Sequence, residues 1–329
     1  MEKPERIKCI LNGDIPDRPA YGFWTHFPKT DLDARALAET SYAFYKDLDL
    51  DFIKSMPNGM FSIQDWGCTC DFSDISRGGV ARVTDAAVKT SDDWHRLSEL
   101  DIQRGAMGRE TQALQSLLNF VREEAPVIAT VFSPITTAYK LSQGKIFDHL
   151  RTCPEKVAYG LDVITDTTCR FAQKVVDAGC AGIYLATQMC TAKYMSPQDY
   201  AVYAKPYDLS VLDAVRQPAW FNVLHVHGED ILFEQVTDYP VHGISWHIWE
   251  TPPAVDYFLN QTKHKVIVGG LQRSHITNCD RDAVDENLRN MSRLTGLRRL
   301  IIAPGCTIRH PCNRDVLKRI SSAIRGLAP

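Results

Sequence analysis

A chain of 329 residues, 44% apolar and 23% charged, is long enough for one large α/β domain or two ordinary ones and has an ordinary globular composition. A formal net charge of -3 with no basic or acidic block excludes nucleic acid and anionic membrane as expected partners. No apolar run approaches the roughly 20 residues that span a bilayer, and "MEKPERIKCILNGDIPDRPAYG" lacks the apolar core of a secretory signal, so a cytoplasmic location is expected.

Strand-like and helix-like stretches alternate along the chain. "RPAYGFWT" is the first predicted strand, followed by "DARALAETSYAFYKDL", whose apolar spacing near 3.6 predicts a helix, and by the second strand, "DFIKSM". Residues 58–124 are more than one β/α unit needs. They are expected to form an insertion after the second strand, near the barrel mouth, with "ISRGGVARVTD" as a hairpin. "APVIATVFS" is the third strand. The long helix "CPEKVAYGLDVITDTTCRFAQKVVDAG" has Pro154 near its start and Gly179 just past its end. "GCAGIYLAT" is the fourth strand, and "SPQDYAVYAKPYDLSVLDAV" reads as one helix with Ser196 as N-cap and Pro197 at its first position. "PAWFNVLHVH", "VHGISWHI", "HKVIVGGL" and "LRRLIIAPGC" complete a set of eight strands, and "NRDVLKRISSAIRGL" closes the chain as an amphipathic helix. Eight short apolar strands alternating with helices predict an α/β fold, a (β/α)8 TIM barrel in a single domain over 1–329. A doubly wound sheet is the alternative, but no G-x-G-x-x-G follows an early strand.

Barrel chemistry sits at the C-terminal strand ends. Two histidines spaced H-x-H, His225 and His227, end the fifth strand, and period-two geometry aims both rings to one face. Cys306 in "IIAPGCTI" ends the eighth strand. His247 ends the sixth, with Glu250 slightly beyond. Two imidazoles and a thiolate suit Zn2+, so His225, His227 and Cys306 are the expected ligands. His247 is the expected exchangeable ligand or general base, with Glu250 as the reserve for either role. Ten cysteines without C-x-x-C read as reduced thiols, and the C-x-C of Cys68 and Cys70 is a weak metal signal. Of the remaining histidines only His26, in "GFWTHFP", is placed to face the same cavity.

These residues carry a family likeness. "RIKCILNGDIPDRPAYGFW", "FSPITTAYKL", "DAGCAGIYLATQMCTAKYMSPQDYAVYAKPY", "VIVGGLQ" and "IIAPGCTI" resemble successive segments of the uroporphyrinogen decarboxylase superfamily, and within it the zinc-dependent cobalamin–thiol methyltransferase branch. The decarboxylases carry "R-Q-A-G-R" after the first strand. Here the stretch reads "GFWTHFPKTD", without arginine, which argues against a substrate bearing eight carboxylates. The methyltransferase branch has H-x-C and a distant cysteine. His225 matches its histidine and Cys306 its last cysteine, while His227 stands in place of its first cysteine. Zinc held by two histidines and one thiolate is formally +1 rather than neutral. A thiol bound there becomes a weaker nucleophile, and the metal a stronger Lewis acid.

The resemblance implies a methyltransferase of one-carbon metabolism, moving a methyl group between a corrinoid (methylcobalamin) and a small thiol or other donor or acceptor. No "D-x-H-x-x-G" occurs, so the corrinoid is expected on a partner protein. Trp24, His26, Tyr184, Gln188, Trp246 and Gln272, from neighbouring strand ends, are the expected pocket wall. A homodimer is compatible with the resemblance. A zinc lyase, decarboxylase or hydrolase acting on a small carboxylated or aromatic substrate is the alternative, distinguished by having no need of a corrinoid. A metal or corrinoid carrier without catalysis is the third reading, against which the three convergent ligands count.

Overall fold

Eight parallel strands curl into one sheet in the computed structural model, which describes residues 1–328. In chain order the strands are β1 (Ala20–Tyr21), β2 (Ile53–Lys54), β3 (Thr69–Asp71), β4 (Arg82–Asp85), β5 (Val127–Phe132), β6 (Gly182–Thr187), β7 (Val223–Val226), β8 (Gly243–Ser245), β9 (Val266–Leu271) and β10 (Leu300–Pro304). The large sheet runs β1-β10-β9-β8-β7-β6-β5-β2, and β3 pairs with β4 in a separate antiparallel hairpin. β5, β6, β9 and β10 are almost wholly buried, as strands covered on both faces must be. The fold is the (β/α)8 barrel implied by the alternation, and all eight strands expected for it are present.

The seam between β1 and β2 closes without a ladder. The Asp51 N–H donates to the Tyr21 carbonyl (3.0 Å), and the Tyr21 N–H donates to the Asp51 carboxylate (2.9 Å). Gly22 follows β1 where the Phe52 ring crosses the seam; a Cβ there would stand 2.4 Å from that ring. Only glycine lets the two strands approach so closely.

Between β2 and β5 lie a short helix (Phe61–Gln64), the β3–β4 hairpin and a helix (Gly105–Val121) that packs against the helix Ala34–Leu48. The hairpin is present, but its first strand is Thr69–Asp71, upstream of the expected segment, where Ile75–Arg77 is instead a 3-10 turn. The helix Pro154–Asp177 begins on Pro154 and ends before Gly179, whose φ of +116° is the left-handed conformation that stops helices. No helix among the described residues is long and apolar enough to cross a membrane.

The helix expected over 196–215 is in fact two, Pro197–Tyr203 and Lys205–Ala214. Pro206 has no N–H for the Val202 carbonyl and its ring would clash there, so the chain breaks at Ala204 (φ -129°, ψ -54°). The break folds Asp208 back onto Tyr200. Its carboxylate accepts from the hydroxyls of Tyr200 (2.8 Å) and Tyr239 (3.0 Å), and Oδ1 has no partner. Burial, only partly offset by these hydrogen bonds, pushes the Asp208 carboxyl up to about 7. The folded protein therefore holds a proton there that the unfolded chain releases near pH ~3.9. This group's contribution to stability falls as pH rises from about 4 to about 7. Asp208→Asn should remove that slope. In urea unfolding across this range, the wild type should lose stability relative to the variant. Parallel profiles would show that Asp208 is ionised in the folded state throughout.

Candidate metal centre

The C-terminal ends of β7, β8 and β10 bring four donors together. His225 lies in β7 and His227 just after it. Pairing of His225 with Ser245 in register places the turn after β8, with His247, beside them. Pro304 and Gly305 turn the chain out of β10 so that Cys306 faces the histidines. One ligand atom from each of His225, His227, His247 and Cys306 lies within 4.8 Å of the others, the only such group among the described residues. Cys68 and Cys70 join no group of this kind; the Cys68 sulfur accepts from the Ala87 N–H (3.3 Å).

Two of the six edges of this group have the lengths of a tetrahedral zinc site. His247 Nε2 is 3.3 Å from His227 Nδ1, and Cys306 Sγ is 3.6 Å from the same nitrogen. Zinc bonds to nitrogen and sulfur at tetrahedral angles give edges of about 3.4 Å (N to N) and about 3.6 Å (N to S). The outward ring nitrogens are also held. His247 Nδ1 is 3.4 Å from Glu250 Oε2, and His225 Nδ1 is 3.3 Å from Ser245 Oγ, which accepts from the Tyr184 hydroxyl (3.2 Å). Such partners fix the tautomer that turns the other nitrogen's lone pair inward.

The electrostatics favour a thiolate. Burial raises the Cys306 pKa, but the facing imidazoles of His225, His227 and His247 outweigh it and hold the thiol well below its usual range. Burial pulls His225 down to about 4, so its ring is neutral. Burial also opposes charge on His247, but Cys306 and Glu250 raise it overall. A thiolate among imidazoles is a donor set suited to zinc.

The group stands between two cavities. The inner one, of about 340 Å³, is lined by His225, Cys306, Trp24, His26 and Tyr184 among others. The outer one, of about 370 Å³, is lined by His247, Glu250, Glu229 and Tyr194 among others. His227, Gln188 and Arg273 line both. Residues between β2 and β5 (Pro57, Met60, Ile75 and Val80) also line the inner cavity.

The structure thus brings together His225, His227, His247 and Cys306, with Glu250 behind His247 and Trp24, His26, Tyr184 and Gln188 on the walls. Two expected wall residues lie elsewhere. Trp246 is fully buried, stacks on Phe258 (5.0 Å) and donates to the Pro253 carbonyl (3.2 Å). It sits between Ser245 and His247, and strand alternation turns it outward as they turn inward. Gln272 lines neither cavity; it is the residue before the helix Arg273–Thr277, with its N–H donating to Asn287 Oδ1 (2.9 Å). The sequence reading missed Lys54, Lys140 and Arg273, all of which line the inner cavity. Lys54 carried a signal, being a lysine in an otherwise buried strand.

Comparison with known proteins agrees with this architecture. A family model described as uroporphyrinogen decarboxylase matches residues 22–327. A methylcobamide:CoM methyltransferase of Methanosarcina acetivorans is 23% identical over 67% of this chain, the match spanning 65% of that protein. Its Methanosarcina mazei counterpart is 23% identical over 69% of this chain and 66% of its own length. The matched stretch is thus slightly under two thirds of either relative. A methyltransferase structure from Methanosarcina mazei superposes with a TM-score of 0.83 at 17% identity, covering 99% of this chain and 98% of that one. A B12-independent methionine synthase from Shewanella sp. W3-18-1 gives 0.56 at 11% identity, with 95% of each chain covered. At these identities the two structures establish a shared fold.

Proposed function

The chain belongs to the uroporphyrinogen decarboxylase family, and from that premise we propose that it is a zinc-dependent methyltransferase acting between a corrinoid and a small thiol or related methyl acceptor or donor. The observation that carries this reading is the four-donor group standing in the partition between two cavities. In this reading a small substrate reaches the group from the inner cavity, while the corrinoid, carried by a partner protein, approaches from the outer one. The two relatives named as methylcobamide:CoM methyltransferases support the same chemistry.

His225, His227, His247 and Cys306 would hold the metal. Zinc bound there would act as a Lewis acid, favouring the thiolate form of a thiol substrate. Glu250 holds the proton on His247 Nδ1, keeping Nε2 directed at the group. Ser245 and Tyr184 do the same for His225. In this reading His247 would be a fourth, exchangeable donor whose position a thiol substrate takes, with Glu250 as its orienting partner. Trp24 and Tyr184, both buried, exclude water from the inner side.

Metal analysis and a methyl-transfer assay test the proposal together. Wild-type protein reconstituted with zinc should retain one equivalent per chain; His227→Ala should lose it and His227→Cys should keep it. Thiol methylation should require methylcobalamin or a methylated corrinoid protein. Full zinc retention by His227→Ala would remove that residue from the site. Turnover of an ester or carboxylated substrate without a corrinoid would favour the lyase or hydrolase reading.

A further inference from the structure

A further concavity, of about 600 Å³, lies beside the outer cavity and takes no part in the chemistry above. Ile231, Leu232, Phe233, Pro252, Pro253 and Tyr257 give it an apolar lining, and only Glu234 and Gln235 bring a charged or amide side chain to it. Its shape is fixed from behind. The Phe233 ring lies 6.0 Å from Phe258 and 6.2 Å from Tyr257, and Phe258 stacks on Trp246 (5.0 Å), which donates to the Pro253 carbonyl (3.2 Å). Trp246, turned away from the metal donors, thus supports this groove. Tyr257 stays 43% exposed, and its hydroxyl donates to Glu234 Oε1 (2.6 Å), which fixes the ring in place.

Single exposed apolar side chains are ordinary, and a shallow cleft by itself carries no message. This groove differs in its charge. Asp199, Asp230, Glu234 and Asp256 belong to its lining or lie within two residues of it; all are exposed, and none forms an ion pair among the described residues. No lysine, arginine or histidine lines it. Four carboxylates without counter-ions around an apolar floor disfavour an anionic lipid surface and favour a cationic partner. Tyr257 takes up Glu234, which leaves Gln235 alone to orient a small molecule, whereas small-molecule sites converge several polar groups.

The groove also shares a wall with the outer cavity. Thr191 bridges to Ile231, the Ala192 N–H donates to the Asp230 carbonyl (2.9 Å), and the Leu232 N–H donates to the Cys190 carbonyl (3.0 Å). Thr191 and Glu229 line the outer cavity, and Ile231 and Leu232 line the groove; Glu250 and Pro252 divide in the same way on the next loop. A body seated in the groove therefore borders the outer cavity.

We propose that this groove is the docking surface of a partner protein that inserts an apolar side chain flanked by lysines or arginines, which sets that partner against the outer cavity. This rests on the reading that a partner protein serves that cavity; it adds the face and the chemistry by which the partner is held. Tyr257, exposed and fixed in place, is the aromatic anchor around which such interfaces centre, and the acidic rim speeds and orients the encounter.

Fluorescence anisotropy with three labelled octapeptides tests the surface: two leucines flanked by lysines, the same leucines flanked by glutamates, and serines in place of the leucines between lysines. The first should bind at least about tenfold tighter than either of the others, and its affinity should fall as sodium chloride rises from about 0.05 to about 0.5 M. Tyr257→Ser and Glu234→Lys should each weaken it by at least about fivefold. Both variants should keep wild-type kcat for methyl transfer from free methylcobalamin to 2-mercaptoethanol, a donor that needs no docked protein. Equal binding of the lysine-flanked and glutamate-flanked peptides, or undiminished binding of the first by Tyr257→Ser, would overturn the docking surface. Loss of methylcobalamin turnover in folded Tyr257→Ser would overturn it too, by making the groove part of the catalytic cavity. If wild-type protein binds the peptides in the expected order but turns over no methylcobalamin, the surface stands and the methyltransferase reading fails.

Discussion

Cys306→Ala is expected to release bound zinc and to lower kcat/KM for methyl transfer by at least about a thousandfold. Loss of an outer partner of a metal ligand costs about 10–100-fold in affinity or activity, and loss of the ligand itself must exceed that. Cys306 is also the sole anionic donor of the four; without it three neutral imidazoles face a divalent cation with no charge compensation. Its sulfur occupies the side of the group that lines the inner cavity, so an alanine there opens the site to water as well. Glu250→Gln supplies the contrast. Its amide oxygen can still accept from His247 Nδ1, so zinc affinity should fall within the about 10–100-fold range of an outer partner. Elemental analysis and single-substrate kinetics on both variants, with circular dichroism to confirm the fold, make the comparison. Full zinc occupancy in Cys306→Ala would mean that the four side chains do not form the metal centre.

The parts of this arrangement that were legible in the sequence are those fixed by local periodicity. "VIATVF", "GIYLAT", "VIVGGL" and "LIIAP" are unbroken apolar runs, and each is a buried strand. The H-x-H spacing put His225 and His227 on one face, and both line the inner cavity. The same rule, applied to "SWH", separates Trp246 from its neighbours; reading it as a wall residue ignored that parity. Lys140 was not legible, because its place depends on how the helix Pro134–Leu141 lies over the mouth, a tertiary fact. Nor was the start of the hairpin, where "TCD" pairs across an irregular register with "RVTD" and nothing in its composition marks a strand. The break at Ala204 was legible in principle, since Pro206 cannot sit inside a continuous helix.

Asp51→Ala is expected to destabilise the protein by about 3–5 kcal/mol, the range for removing one partner from a buried ion network. Asp51 is fully buried and accepts from Arg6 Nη1 (2.7 Å), from Arg18 Nη1 and Nη2 (2.7 and 3.1 Å) and from the Tyr21 N–H (2.9 Å). These bonds join the helix Lys3–Leu11, the start of β1 and the start of β2 at the one seam that has no strand ladder. Removing the carboxylate strands the Tyr21 N–H and leaves two guanidinium groups close together. Arg6 keeps its two bonds to Asp17 (2.7 and 2.8 Å), which places the expected loss nearer the lower end of the range. Asp51→Asn, retaining one acceptor oxygen, should lose less. Asp51 precedes β2, whereas His225, His247 and Cys306 lie at or beyond the C-terminal ends of their strands, so the damage falls at the opposite end of the barrel. Zinc content and kcat of the folded fraction should therefore stay at wild-type values while the urea midpoint falls. A loss under about 1 kcal/mol would show that side-chain packing across Gly22 and Phe52 closes the barrel without the ion network.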